Sequence, residues 1–87
     1  YRLKMNATKS LIGHSLGSSA IVELVGAVLQ MNAGMLHPTI NIDELDPAID
    51  VDVCRGGPQP CDVRILMKNA FGFGGLNSSC LVRRWEG

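Results

Sequence analysis

The sequence lacks an excess of charge of either sign. Its 87 residues carry eight Lys and Arg against eight Asp and Glu, with a sequence pI near 6.9. No basic stripe is available to neutralise a phosphate backbone, which excludes nucleic acid as the main partner. It also lacks a cysteine framework. Cys54, Cys61 and Cys80 are odd in number and show no C-x-x-C spacing, so they signal neither a set of disulfides nor a zinc site. Free thiols in a reducing compartment are expected. No apolar run approaches the roughly 18 residues of a membrane-spanning helix, the longest being broken by Glu23, so a soluble chain with no membrane partner is expected. Disorder is excluded as well, because 46% of the residues are hydrophobic. Asn6-Ala7-Thr8 and Asn77-Ser78-Ser79 match the N-glycosylation pattern, but no signal-peptide pattern accompanies them and they read as chance matches. At this length the chain holds one small domain at most. It opens at Tyr1 on a strand-like run and reads as a piece of something longer.

What is there concentrates at two places. Thr8-Lys9-Ser10-Leu11-Ile12-Gly13-His14 is a polar, Gly-punctuated loop running into an apolar helix, and it puts a Lys and a His at the helix entrance. Near the other end, Asn69-Ala70-Phe71-Gly72-Phe73-Gly74-Gly75-Leu76-Asn77 sets two Phe among three Gly in a loop that needs special backbone angles. Between them, Tyr1 to Asn6 suits a short strand ending at the loop Ala7 to Gly13. Leu16 to about Asn32 reads as a helix stopped by Gly34. His37-Pro38-Thr39-Ile40 is extended, because the residue before Pro is pushed out of the helical region. Asp43 to Gln59 is an acidic, then Gly/Pro-rich surface connection with one short strand at Val51 to Cys54. Val63 to Ala70 suits a buried strand, and Ser79 to Trp85 pairs with it across the Gly loop.

The helix is apolar on nearly every face. Ala20, Ile21, Val22, Leu24, Val25, Ala27, Val28 and Leu29 leave only Glu23 and Gln30 as strongly polar interruptions. Such a helix belongs in the middle of a structure, and 87 residues cannot wrap it on all sides. A missing packing partner is therefore expected, with Gly17, Ser18, Ser19, Ala20 and Gly26 small enough to let another helix approach.

Taken singly, each polar residue has an ordinary explanation. A His at a helix start caps or packs, a Lys there is a solvated charge, and Glu23 could be the wet edge of the helix with Gln30 two turns on. Phe71 and Phe73, two apart, would face one core in a strand. The Gly loop lacks the third glycine of a dinucleotide-binding pattern.

Taken in order, Lys9-Ser10-Leu11-Ile12-Gly13-His14, a small-residue helix with Glu23, His37-Pro38-Thr39-Ile40-Asn41 and Asn69-x-Phe71-Gly72-Phe73-Gly74-Gly75-x-Asn77 resemble the β-ketoacyl-acyl carrier protein synthases. The nearest match is the type II condensing enzymes, and only their last fifth or so is covered. The resemblance implies an α/β chain, the C-terminal strand-helix-strand-strand portion of a thiolase-like αβαβα fold, not an independent domain over residues 1–87. It implies decarboxylating Claisen condensation in fatty-acid or polyketide synthesis, an acyltransferase reaction. No cofactor is needed, the substrates being carried on the phosphopantetheine of an acyl carrier protein. Partners would be that carrier, the remainder of the ketosynthase and a second subunit in a homodimer or heterodimer. A cytoplasmic location, or a plastid stroma, is expected.

By the same resemblance His14 is the second of two catalytic histidines, donating through Nε2 to the malonyl thioester oxygen, with a neutral ring favoured by the helix N-terminus. Lys9 is the active-site Lys, held by a carboxylate from elsewhere in the enzyme. Glu23 belongs to the same buried network. Phe73 completes the oxyanion hole and gates the acyl pocket, Gly72, Gly74 and Gly75 give its loop freedom, and Asn77 anchors the turn. His37 reads as structural and Phe71 stays unassigned. Arg64, Lys68, Arg83 and Arg84 are generic cations for an acidic partner. Leu76 and Ala70 depart from the usual Thr and Ser. The nucleophilic Cys and the first catalytic His would lie upstream, since none of the three cysteines sits at a strained strand-to-helix turn, and the segment alone would be inactive. Two other readings are a non-condensing partner subunit of a ketosynthase heterodimer, against which the intact Lys9 and His14 count, and a thiolase-like binding remnant.

Overall fold

A computed structural model describes residues 3–85, apart from the side chain of Phe73. Its elements run β1 (Lys4–Met5), α1 (Lys9–Ile12), a 3₁₀ turn (Leu16–Ser18), α2 (Ser19–Ala33), β2 (Met35–Leu36), β3 (Asp52–Val53), β4 (Gln59–Pro60), β5 (Ile65–Phe71), a second 3₁₀ turn (Phe73–Gly75) and β6 (Asn77–Arg83). The strands form three pairs among the described residues: β1 parallel to β3, β2 antiparallel to β4, and β5 antiparallel to β6. Three details depart from the sequence reading. The Ala7–Gly13 loop contains a helical turn, β2 and β4 form a small pair, and the strand ending at the Ala7 loop is seen only at Lys4–Met5, Tyr1 and Arg2 lying outside the described residues.

The α2 helix ends where expected. Gly34 takes φ 68 and ψ 26, and its N–H closes on the Gln30 carbonyl. Only a residue without Cβ adopts that left-handed angle at no cost, so the helix stops there. The hairpin of β5 and β6 lies against α2. Its register sets Leu66 opposite Val82, Lys68 opposite Cys80 and Ala70 opposite Ser78 on the face toward the helix. Ile65, Met67 and Phe71 alternate onto the other face, with Leu81 opposite Met67.

Little of this is core. Among the described residues only Met31 and Cys54 are buried apolar side chains, and the buried positions of α2 are Ser19, Glu23 and Met31, one stripe at four- and eight-residue steps. Ile21, Val25 and Leu29 form a second stripe that is 55–70% exposed. The sheet face away from the helix is as bare, with Ile65 64%, Met67 61% and Phe71 77% exposed. The β5 segment is therefore not buried within this chain, contrary to the reading of a buried strand, because α2 covers only one of its two faces.

The stretch Leu16–Ala33, 18 residues of mean hydropathy 1.3, is long and apolar enough to cross a membrane by length and composition alone. That corrects the expectation that no run approaches this length. At its middle, however, Glu23 is held by two lysines from other elements, an arrangement suited to the interior of a protein and costly against lipid.

Candidate active site

The loop before α2 is built by backbone geometry. Gly13 takes φ 78 and ψ −177, a region open in practice to Gly alone, and so turns the chain from α1 toward His14. Three residues after Gly13, Leu16 carries φ 54, rare for a branched side chain. Between them the Leu16 N–H donates to His14 Nδ1 at 3.0 Å. A ring nitrogen that accepts has no proton, so the His14 ring is the Nε2–H tautomer. His14 is exposed, and among the described residues its Nε2 has no partner.

The loop is clamped from its far side by the segment after β2. Ala7 N–H donates to Thr39 Oγ1 at 2.8 Å, Ser10 Oγ donates to the Ala7 carbonyl at 2.8 Å and accepts from Ile40 N–H at 3.0 Å. Asn6 Nδ2 bridges the Gln30 Oε1 (2.9 Å) and the His37 carbonyl (3.0 Å). His37 Nδ1 donates to the Pro38 carbonyl and its Nε2 accepts from the Thr8 hydroxyl, both at 3.0 Å. Both ring nitrogens of His37 are therefore spent inside the fold.

The buried charge of α2 is Glu23. Its Oε2 accepts from Lys9 Nζ at 2.6 Å and from Ser19 Oγ at 2.7 Å, and its Oε1 lies 3.1 Å from Lys68 Nζ. Burial alone would raise its pKa. The bonds from Lys9, Ser19 and Lys68 outweigh that and lower it to about 2, so the carboxylate is ionised. The carboxylate that holds Lys9 thus comes from this chain itself, and Glu23 is buried between two lysines rather than at the wet edge of a helix. Lys68 belongs here too. Read as a surface cation, it is mostly buried because β5 turns it toward α2 (side chain 14% exposed). From sequence, Ser19 reads only as one of the small residues of the helix and Lys68 only as one of the generic cations, neither of them in this network. The four-residue step from Ser19 to Glu23 was legible, whereas the approach of Lys68 depends on hairpin register.

The Gly loop faces the same place. Gly74 and Gly75 take φ 79 and 81, left-handed angles that favour glycine. Gly72 is different. It is extended (φ −108), and a Cβ there would crowd the Leu76 carbonyl at 3.3 Å, which its N–H bonds at 2.6 Å. That backbone bond closes the turn. Among the described residues the Asn77 side chain makes no hydrogen bond, contrary to its expected anchoring role, and it is Asn69 Oδ1 that bonds across the strands, to Ser79 Oγ at 2.7 Å. Phe73 sits in the turn, and its ring lies outside the described residues.

The two motifs read from sequence line one open cleft of about 480 Å³, with Lys9, His14 and Glu23 on one wall and Asn69, Gly72 and Asn77 on the other. Of the remaining cations, Arg64 and Arg84 pair with Asp62. Cys54 is fully buried and burial pushes its thiol up, as befits a packing residue; Cys61 is half-buried and Cys80 exposed, all three free.

Residues 1–43 match the family described as "Beta-ketoacyl synthase, C-terminal domain". A chloroplastic 3-oxoacyl-[acyl-carrier-protein] synthase II of Arabidopsis thaliana is 41% identical over 97% of this chain, and a 3-oxoacyl-[acyl-carrier-protein] synthase 2 of Mycobacterium leprae is 46% identical over 82% of it. A crystal structure of a β-ketoacyl synthase from Burkholderia phymatum superposes with TM-score 0.91 and 34% identity over 97% of the chain. The chain is homologous to the C-terminal segment of the β-ketoacyl synthases. Its α/β arrangement is the C-terminal portion of their thiolase-like fold. It spans 16–17% of the length of those two curated relatives and 21% of the superposed structure. The relatives include bacterial proteins and proteins named as chloroplastic.

Proposed function

We propose that this segment forms one wall of the active site of a β-ketoacyl-acyl carrier protein synthase. In the proposed reaction an acyl group rides as a thioester on a Cys upstream of this segment. Malonyl-carrier protein loses CO₂, its carboxylate C–C bond supplying the electron pair of an enolate. The enolate carbon attacks the acyl carbonyl, a C–C bond forms and the Cys thiolate leaves. His14 donates from Nε2 to the malonyl thioester oxygen as negative charge develops there. The observation that carries this reading is the His14 ring, held by the Leu16 N–H as an Nε2 donor on the cleft that the Gly loop completes.

Lys9 and Glu23 organise the loop around His14, the ion pair holding the start of α1 to the second turn of α2. Phe73 lends its backbone N–H to the acyl oxyanion and its ring gates the acyl chain, with Gly74 and Gly75 as pivots. The first catalytic His comes from outside this chain. The bare stripe of Ile21, Val25 and Leu29 supports the reading that residues 1–87 are part of a larger folding unit, closed by the rest of the enzyme and by a second subunit. No cofactor is required beyond the phosphopantetheine arm of the carrier.

The test uses the full-length protein that carries this segment. His14→Ala lowers malonyl-carrier decarboxylation by about 100-fold or more while acyl loading of the nucleophilic Cys persists. Unchanged decarboxylation would sink the proposal and favour a non-condensing subunit.

A further inference from the structure

Lys68 has no place in the reaction just described, yet it is the more deeply buried of the two lysines on Glu23. We infer that Lys68 is a positioning residue, which ties the β5–β6 Gly loop to the Lys9–His14 loop through the two oxygens of the Glu23 carboxylate. This rests on the proposed condensing function for its catalytic consequence, but not for the tether itself.

The geometry is specific. Lys9 takes Oε2 and Lys68 takes Oε1, at 2.6 and 3.1 Å, so one carboxylate spans two loops that share no other ion pair among the described residues. Lys68 stands midway along β5, four residues before Gly72, and its ammonium also donates to the Asn69 carbonyl. Its hold is therefore applied to the strand that leads directly into the Gly loop. The register of the hairpin decides this: Lys68 lies opposite Cys80 on the face toward α2, while its neighbours Met67 and Asn69 point away. A shift by one residue would expel the ammonium from the carboxylate altogether. Among the described residues, the charged groups facing Glu23 from every element packed there are Lys9 of α1 and Lys68 of β5. Its own helix adds only the Ser19 hydroxyl, and His14 lines the same cleft. Two ammonium groups on one carboxylate also leave the floor of the cleft with a net positive charge.

The test compares Lys68→Met, which keeps much of the stem and loses the charge, with Lys68→Arg in the full-length protein. Two quantities are read: exchange of the Gly72 amide, whose bond to Leu76 closes the loop, and kcat and KM for malonyl-carrier decarboxylation. Lys68→Met is expected to speed Gly72 exchange about tenfold, a loss typical of one semi-buried charged hydrogen bond, and to lower kcat with KM within about twofold. Lys68→Arg restores both. Lys4→Met, which removes the exposed pair with Asp52, changes neither. If Lys68→Met does not fold, Lys68→Gln takes its place. Exchange at the wild-type rate in the uncharged variant, or failure of Arg to restore it, overturns the tether. Faster exchange in a protein whose decarboxylation ignores His14→Ala upholds the tether and instead defeats the proposed function.

Discussion

His14 and His37 stand on neighbouring loops and are held in opposite tautomers. His37 donates from Nδ1 to the Pro38 carbonyl and accepts at Nε2 from Thr8, so it has nothing left to offer a ligand. His14 accepts at Nδ1 from the Leu16 N–H and keeps a proton on an unpartnered, exposed Nε2. The same side chain is thus structural in one setting and a poised donor in the other. What differs is only which backbone group meets Nδ1, a carbonyl or an N–H. The helix between them repeats the contrast, with a buried stripe of Ser19, Glu23 and Met31 on one side and a bare one of Ile21, Val25 and Leu29 on another.

The strongest way to break the comparison is at the charge beneath His14. Glu23→Ala leaves two lysines, one of them mostly buried, without a counter-charge. It is expected to destabilise the protein by about 3 kcal/mol, the scale for removing one partner of a buried pair, measured by urea unfolding.

Acid makes the same change reversibly. A carboxyl lowered from 4.5 to about 2 on folding adds stability that is complete above pH 4.5, shrinks as the pH falls toward 2, and is gone below it. Glu23→Gln should remove that slope from the pH dependence of stability, whereas a slope unchanged in Glu23→Gln would mean other carboxylates carry it. A smaller effect is expected at the structural histidine. His37→Ala costs about 1–2 kcal/mol, from the bonds to Thr8 and Pro38, but leaves decarboxylation by the folded protein within about twofold. A large catalytic loss there would erase the distinction between the two rings.

Much of this was legible in the residues. The helix, its stop at Gly34, the hairpin and its Gly turn followed from periodicity and from residues that alone tolerate left-handed angles. The unmet demand of an all-apolar helix was legible too, since too little chain was at hand to cover it. What escaped were contacts between elements distant in sequence. Lys68 looked like any surface cation, because its direction depends on pairing with a strand a dozen residues on. Likewise the turn at Lys9–Ile12 is short and uncapped, and the β2–β4 pair is two residues long, below what periodicity can register. Asn77 reads from sequence as the anchor of its turn, but a backbone bond from Gly72 to Leu76 closes that turn, and among the described residues the Asn77 side chain makes no hydrogen bond.

The central claim, that His14 is fixed as an Nε2 donor and His37 is not, can be read directly from the ¹⁵N shifts of the two rings in the full-length protein. The account predicts a protonated Nε2 and a bare Nδ1 on His14, with the reverse on His37. A His14 ring carrying its proton on Nδ1 would contradict it, because no donor would then face the cleft.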